Sequence, residues 1–149
     1  MNNTQRLASI DFLLSKLPTF ECKPGCADCC GPVMMSRLEL KRIVARTGID
    51  PKRLNAQWML KEGCISCPLL TADNRCSVYD IRPAICRVFG SSAHPRLRCP
   101  HGLGPLEPIS AKQTNSLIDQ VMELGHGISN PLEKEAEAFL ATVGLSVLK

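Results

Sequence analysis

Four cysteines, Cys22, Cys26, Cys29 and Cys30, crowd into one stretch that reads C-x-x-x-C-x-x-C-C. Five more follow as Cys64, Cys67, Cys76, Cys86 and Cys99, which brings the total to nine in 149 residues. A thiolate is a strong ligand for soft and borderline metals, so a crowd of thiols signals a disulfide framework, a metal site or redox chemistry. The odd count would leave one thiol unpaired, and the adjacent pair Cys29-Cys30 is awkward for two ordinary bridges. The chain opens Met1-Asn2-Asn3-Thr4-Gln5-Arg6-Leu7, without the cationic-then-apolar pattern of a secretory signal. A reducing, cytoplasmic setting is therefore expected, where clustered cysteines serve as metal ligands more often than as disulfides. No apolar run reaches the roughly eighteen residues of a membrane span.

The rest of the composition is that of a folding chain. Apolar residues make up 44%, close to the globular norm, so folding need not rest wholly on metal. Prolines interleave with the cysteines (Pro18, Pro24, Pro32, Pro68, Pro83, Pro95, Pro100), which favours metal-pinned loops over long regular elements. The expected fold is a small cysteine-rich domain, mainly α with some β character, with irregular loops and a C-terminal helical pair. The cysteine-bearing domain is expected over residues 1–107 and the helical pair over 108–149. Formal charge is +7 over residues 1–99 and −3 over 100–149. With 4% aromatics and no basic run, the positive half reads as compensation for thiolates rather than as a nucleic-acid surface.

Local signals mark the elements. Leu7, Ile10, Leu14 and Leu17 recur at helical spacing over residues 4–17, and Pro18 stops that run. Ser36 and Glu39 form a capping box for a helix from Arg37 to about Thr47, with Leu40, Ile43 and Val44 inward and Gly48 as terminator. Asp50-Pro51 predicts a further short helix carrying Leu54 and Trp58. Asp73-Asn74-Arg75 predicts a turn between extended pieces. Pro83 opens a helical stretch through Phe89, closed by Gly90. Ser110 and Gln113 make a second capping box ahead of Leu117, Ile118, Val121, Met122 and Leu124. Asn130 and Glu133 make a third, ahead of Ala136, Phe139, Leu140 and Val143. The last two helices are the expected pair. Met34 and Met35 read as core.

The ligand candidates follow from spacing. Cys26/Cys29 and Cys64/Cys67 each have the C-x-x-C spacing that turns two sulfurs toward one metal, and iron–sulfur clusters use the same donors. Consecutive cysteines diverge in strand or helix, so two neighbouring centres, or one cluster plus one spare thiol, suit Cys29 and Cys30 better than a shared metal. Cys86 is expected in the first turn of its helix, where free N–H groups stabilise a thiolate. Arg82 and Arg87 flank it and can donate to a sulfur or a small anion, or pair with Asp80. His94 and His101, beside Cys99, can each replace a sulfur in a three-cysteine, one-histidine site. His126 reads as a loop histidine.

The motifs Cys22 to Cys30, Cys67-Pro68-Leu69-Leu70, Cys76-Ser77-Val78-Tyr79-Asp80-Ile81-Arg82-Pro83 and Cys86-Arg87-Val88-Phe89 together resemble the bacterial YkgJ cysteine-cluster family, described as chelating zinc or iron. The resemblance covers roughly residues 20–100. It implies chelation by Cys22, Cys26, Cys29, Cys30, Cys67, Cys76, Cys86 and Cys99, with Cys64 outside the motif core. Eight sulfurs serve two four-cysteine centres, or one cluster with partners. A related pattern in flagellin lysine methylases looks like an iron–sulfur site, but no glycine-rich nucleotide loop accompanies it here. The expected function is a cytoplasmic zinc- or iron-binding protein with a structural, storage or delivery role, its C-terminal helices docking a protein partner. The alternatives are an iron–sulfur protein with redox or enzymatic activity, with Arg82 and Arg87 at the cofactor, and a zinc-stabilised interaction module.

Cys26→Ser is expected to remove metal and to destabilise the fold severely, because binding energy is folding energy at such sites. His126→Ala is expected to leave metal content unchanged. Elemental analysis and thermal melts of the two variants check both.

Overall fold

The computed structural model describes residues 1–30, 33–51 and 67–129. Within them the chain is mainly helical with irregular loops. Helix α1 spans Asn3–Ser15, α2 Arg37–Thr47, α3 Ala84–Val88 and α4 Ala111–Leu124, with single 3-10 turns at Tyr79–Ile81 and Pro95–Leu97. The helix expected after Asp50 and the one expected after Asn130 lie outside the described residues, as does Cys64.

Side chains that satisfy free N–H groups start three of the helices. Asn2 and Gln5 cap α1 reciprocally, Ser36 and Glu39 cap α2, and Ser110 and Gln113 cap α4. The expected α2 ends at Gly48 in the left-handed region, φ 68°, as its sequence predicts. The extended pieces around Asp73-Asn74-Arg75 shrink to one antiparallel bridge between Leu70 and Cys76. Asn74 takes the left-handed conformation there, φ 60°. No helix among the described residues is long and apolar enough to cross a membrane.

Two apolar clusters share the interior. One joins Ile10 and Leu14 of α1, Ala84, Ile85 and Val88 of α3, and Ile118, Val121 and Met122 of α4. The other joins Ile43 of α2 with Leu69, Val78 and Ile81. Consecutive methionines divide between them, since extended neighbours point to opposite sides: Met34 enters the first and Met35 the second. The chain next to them is stitched to the end of α4. Ser36 bridges Ile128, Ser129 N–H donates to the Met35 carbonyl, and the N–H groups of Arg37 and Leu38 donate to the carbonyls of Gly127 and Gly125. A Cβ at Gly125 would collide with the Ser36 side chain, so this crossing requires glycine.

A buried carboxylate joins the two clusters. Glu39 is 1% exposed. Its Oε2 accepts from the Ser36 N–H at 2.8 Å and closes the cap of α2. Its Oε1 accepts from the Ala84 N–H at 2.7 Å, the first residue of α3. One carboxylate thus caps two helix N-termini that are 45 residues apart in sequence.

Burial pushes the Glu39 carboxyl above the usual carboxylate value of 4.5, while the two N–H bonds pull it back in part. With the folded value raised, the group's contribution to stability is complete below about pH 4.5 and falls as pH rises through the raised value. Glu39→Gln is expected to abolish that portion of the pH dependence. Glu39→Ala leaves both N–H groups without their acceptor and is expected to lose about 2–4 kcal/mol. Urea denaturation as a function of pH reads both effects.

Candidate metal centre

The cysteine loop is built from two successive turns. In the first, Cys26 N–H donates to the Lys23 carbonyl at 3.2 Å, with Pro24 and Gly25 at the corner. Gly25 has φ 71°, the conformation a turn with proline in front demands of its next residue. In the second, Cys30 N–H donates to the Ala27 carbonyl at 2.9 Å. Upstream, the Phe20 ring lies where a Cβ on Gly90 would sit, so the approach to the loop is packed on the end of α3. Asn74 Nδ2 donates to the Gly25 carbonyl at 3.2 Å and ties the loop to the turn that precedes Cys76. Five separate segments therefore deliver the eight described cysteines: the loop itself, Cys67, Cys76, Cys86 on α3, and Cys99. None of the eight forms a disulfide.

Electrostatic neighbours sort these thiols. Cys22 is raised above the ordinary thiol value by burial and then by Cys29, Cys26 and Cys99. Cys86 is pushed far up by burial and then by Cys67 and Cys76. Cys67 is raised by burial and by Cys76. Cys30 is raised first by donating its proton to Cys29, then by burial, and it also feels Cys67 and Cys86. Cys22 thus feels Cys26, Cys29 and Cys99, Cys86 feels Cys67 and Cys76, and Cys30 stands between, feeling Cys29 first and then Cys67 and Cys86. The adjacent pair marks the seam. A tight turn carries Cys29 and Cys30 in place of strand or helix, and each thiol is the neighbour that most affects the other. The Cys30 thiol lowers Cys29 to about 6.

Each neighbourhood contains a Cys-Pro pair with the same local device. His101 N–H donates to Cys99 Sγ at 3.4 Å across Pro100. The Leu69 N–H does the same for Cys67 across Pro68 and lowers that thiol against the effect of burial. Proline has no N–H and fixes its own φ, so the next N–H is aimed back at the sulfur. N–H groups directed at sulfur stabilise the thiolate that a metal requires. Arg82 adds positive charge to both sides, favouring the thiolates of Cys29 and Cys86. Its guanidinium stacks on the Tyr79 ring at 3.7 Å and its Nε donates to the Tyr79 carbonyl. A cavity of about 790 Å³ opens among these groups, lined by Cys22, Cys26, Cys29, Cys30, Cys67, Cys76 and Cys86 together with Arg82 and Arg87.

Three sequence expectations change. The start of α3 does not lower the Cys86 thiol. The helix has only five residues, its first N–H is taken by Glu39, and burial dominates. Asp80 pairs through its carboxylate with Arg46 at 3.1 Å rather than with Arg82 or Arg87. Arg87 instead donates to the carbonyls of Asp80 and Arg82. Of the histidines, His94 caps the Pro95–Leu97 turn through Nδ1, and His126 hydrogen-bonds Asn3, away from the thiols. His101 is placed at the site: its Nε2 meets Asp28 Oδ2 at 2.6 Å. Cys26, Asp28 and His101 present donor atoms within 4.8 Å of one another, the closest-set group of three among the described residues. Asp28 was legible as the acid inside the Cys26–Cys29 spacing, but its pairing with a histidine 73 residues away was not.

A set of eight thiols, aimed N–H groups and one compensating arginine suits zinc or cysteine-ligated iron, both of which take soft sulfur donors. It defines a cysteine-rich metal-site protein. The CxxCxxCC family, whose description reads "Putative zinc- or iron-chelating domain", matches residues 21–116, and the chain belongs to that family. No curated protein and no solved structure matches it.

With metal removed, Cys29 is expected to be the most reactive thiol at pH 7 and Cys86 the least. Cys30→Ala takes away the neighbouring thiol that lowers Cys29. Near pH 7 a thiol at about 6 is mostly thiolate, but its lower basicity offsets part of that gain. Iodoacetamide labelling of Cys29 is therefore expected to slow about fourfold in the variant. Peptide mass spectrometry of the labelled chain reads the change.

Proposed function

We propose that this chain holds two metal ions, one on Cys22, Cys26, Cys29 and Cys99 and the other on Cys30, Cys67, Cys76 and Cys86. This reading is supported by the thiols that act on one another: Cys26, Cys29 and Cys99 on Cys22, and Cys67 and Cys76 on Cys86, with Cys30 also feeling Cys67 and Cys86. Zinc is the ion proposed, since four thiolates make a closed tetrahedral site at Zn–S ~2.3 Å. Such an ion supplies cross-links between loops that lack regular structure, and its binding free energy becomes folding free energy. Arg82 offsets the charge of the thiolates, and Arg87 braces the turn that carries Arg82. The role is to hold zinc or iron in the cytoplasm for structure, storage or delivery, with the C-terminal residues docking a protein partner.

The cavity supports a second reading. A volume of about 790 Å³ ringed by seven cysteines has room for an iron–sulfur cluster, whose properties hydrogen bonds to sulfur would tune. Elemental analysis with a visible spectrum on protein purified without oxygen separates the two. About two zinc per chain and no visible band is expected. Iron with acid-labile sulfide and a band near ~400 nm would replace zinc by a cluster. Neither metal in stoichiometric amount would contradict both. With two sites, the metal loss expected of Cys26→Ser narrows to one equivalent, and Cys22→Ser and Cys76→Ser are likewise each expected to lose about one equivalent and to keep the other. Loss of both from either variant would contradict the division into two sites.

A further inference from the structure

We propose that Asp28 and His101 form an entry port through which a divalent cation reaches the thiols of Cys22, Cys26, Cys29 and Cys99. The inference rests on the metal-binding reading above and adds a route to it. Three observations carry it.

The first is geometry. Cys26, Asp28 and His101 already stand within 4.8 Å of one another. The four thiols of that neighbourhood share electrostatic influence, but no three of them stand that close. Sulfurs around one tetrahedral ion stand ~3.8 Å apart, from Zn–S ~2.3 Å. The mixed group is thus more closely set than the thiol group.

The second is interleaving. Asp28 lies between Cys26 and Cys29, within the same pair of turns. His101 lies two residues beyond Cys99, and its N–H already donates to the Cys99 sulfur. Each of these two segments that deliver thiols to this neighbourhood also delivers one port donor. Cys26 belongs to both sets. Cys26 would therefore hold a cation in both arrangements, with Asp28 and His101 as its partners in one and the further thiols as its partners in the other.

The third is chemistry and exposure. The side chains of Asp28 and His101 are 61% and 34% exposed. A hydrated divalent cation meets them first. Carboxylate oxygen and imidazole nitrogen are harder donors than thiolate and resemble the water they displace, whereas thiolates hold soft and borderline ions more firmly. Oxygen and nitrogen at the rim with sulfur behind them make a downhill path. The Asp28–His101 hydrogen bond holds the two side chains together through Nε2 and would leave His101 Nδ1 as the ring nitrogen that meets a cation.

Stopped-flow mixing of the reduced, metal-free full chain with cobalt(II) tests the port, because cobalt–thiolate charge-transfer bands report sulfur ligation directly. Asp28→Asn, His101→Gln and the double variant are compared with wild type and with His126→Ala. The expected result is loading of the Cys26-containing site slowed by about 10- to 100-fold in the port variants, with the final spectrum and stoichiometry equal to wild type. His126→Ala is expected to load at the wild-type rate. Wild-type loading rates in the double variant would overturn the proposal. Loss of one cobalt equivalent or an altered final spectrum would also overturn it, since Asp28 or His101 would then be a permanent ligand. Absence of cobalt–thiolate bands in wild type would instead overturn the metal-binding reading itself. Circular dichroism of each variant confirms that the fold is retained, and Asp28→Glu, which keeps a carboxylate, is expected to restore the rate.

Discussion

The Glu39 carboxylate is the constraint on which the arrangement of this molecule depends. An ionised carboxylate out of water costs several kcal/mol unless its oxygens are bonded. Here both oxygens accept backbone N–H groups, one from the cap of α2 and one from the first residue of α3. Helix α3 is too short to be stable alone. It stands because one face enters the cluster formed with α1 and α4 and its N-terminus is held by α2 through Glu39. Cys86 projects from this helix toward Cys67 and Cys76. The position of one thiol neighbourhood is thus set by a hydrogen bond that belongs to the scaffold.

The other cysteines have less scaffold behind them. Cys22 to Cys30 lie on turns, held by Phe20 against Gly90 at one side and by Asn74 against the Gly25 carbonyl at the other. Turns satisfy their own backbone groups and bury little apolar surface, so the loop has few interactions of its own to fix it. A metal ion bonded to thiols from several such segments would provide what the apolar core does not. The Leu69 N–H beside Cys67 and the charge of Arg82 beside Cys29 act in the same direction, since each favours thiolate over thiol where burial favours the thiol.

Much of the helical scaffold was legible in the sequence because helix ends are local. Ser36/Glu39 and Ser110/Gln113 lie within a single turn, and Gly48 needs only its own backbone preference to end α2. The core positions Ile10, Leu14, Ile43, Ile118, Val121 and Met122 follow from helical spacing for the same reason. What escaped was non-local. The second acceptor role of Glu39 links residues 39 and 84, and the Asp28–His101 pair links two loops. The Cys86 thiol was misread because a helix start was weighed without asking which group already held its N–H. Cys29 and Cys30 lie on a turn, where the strand and helix rules for neighbouring side chains do not apply. The presence of a thiol site was plain from spacing, while the division of its members depends on how five segments fold together.

The most direct test of two four-thiolate centres is X-ray absorption at the zinc edge on the metal-loaded full chain. The account predicts a first shell of about four sulfur scatterers per zinc at ~2.3 Å with no oxygen or nitrogen component. A first shell in which oxygen or nitrogen supplies half or more of the ligands would contradict it.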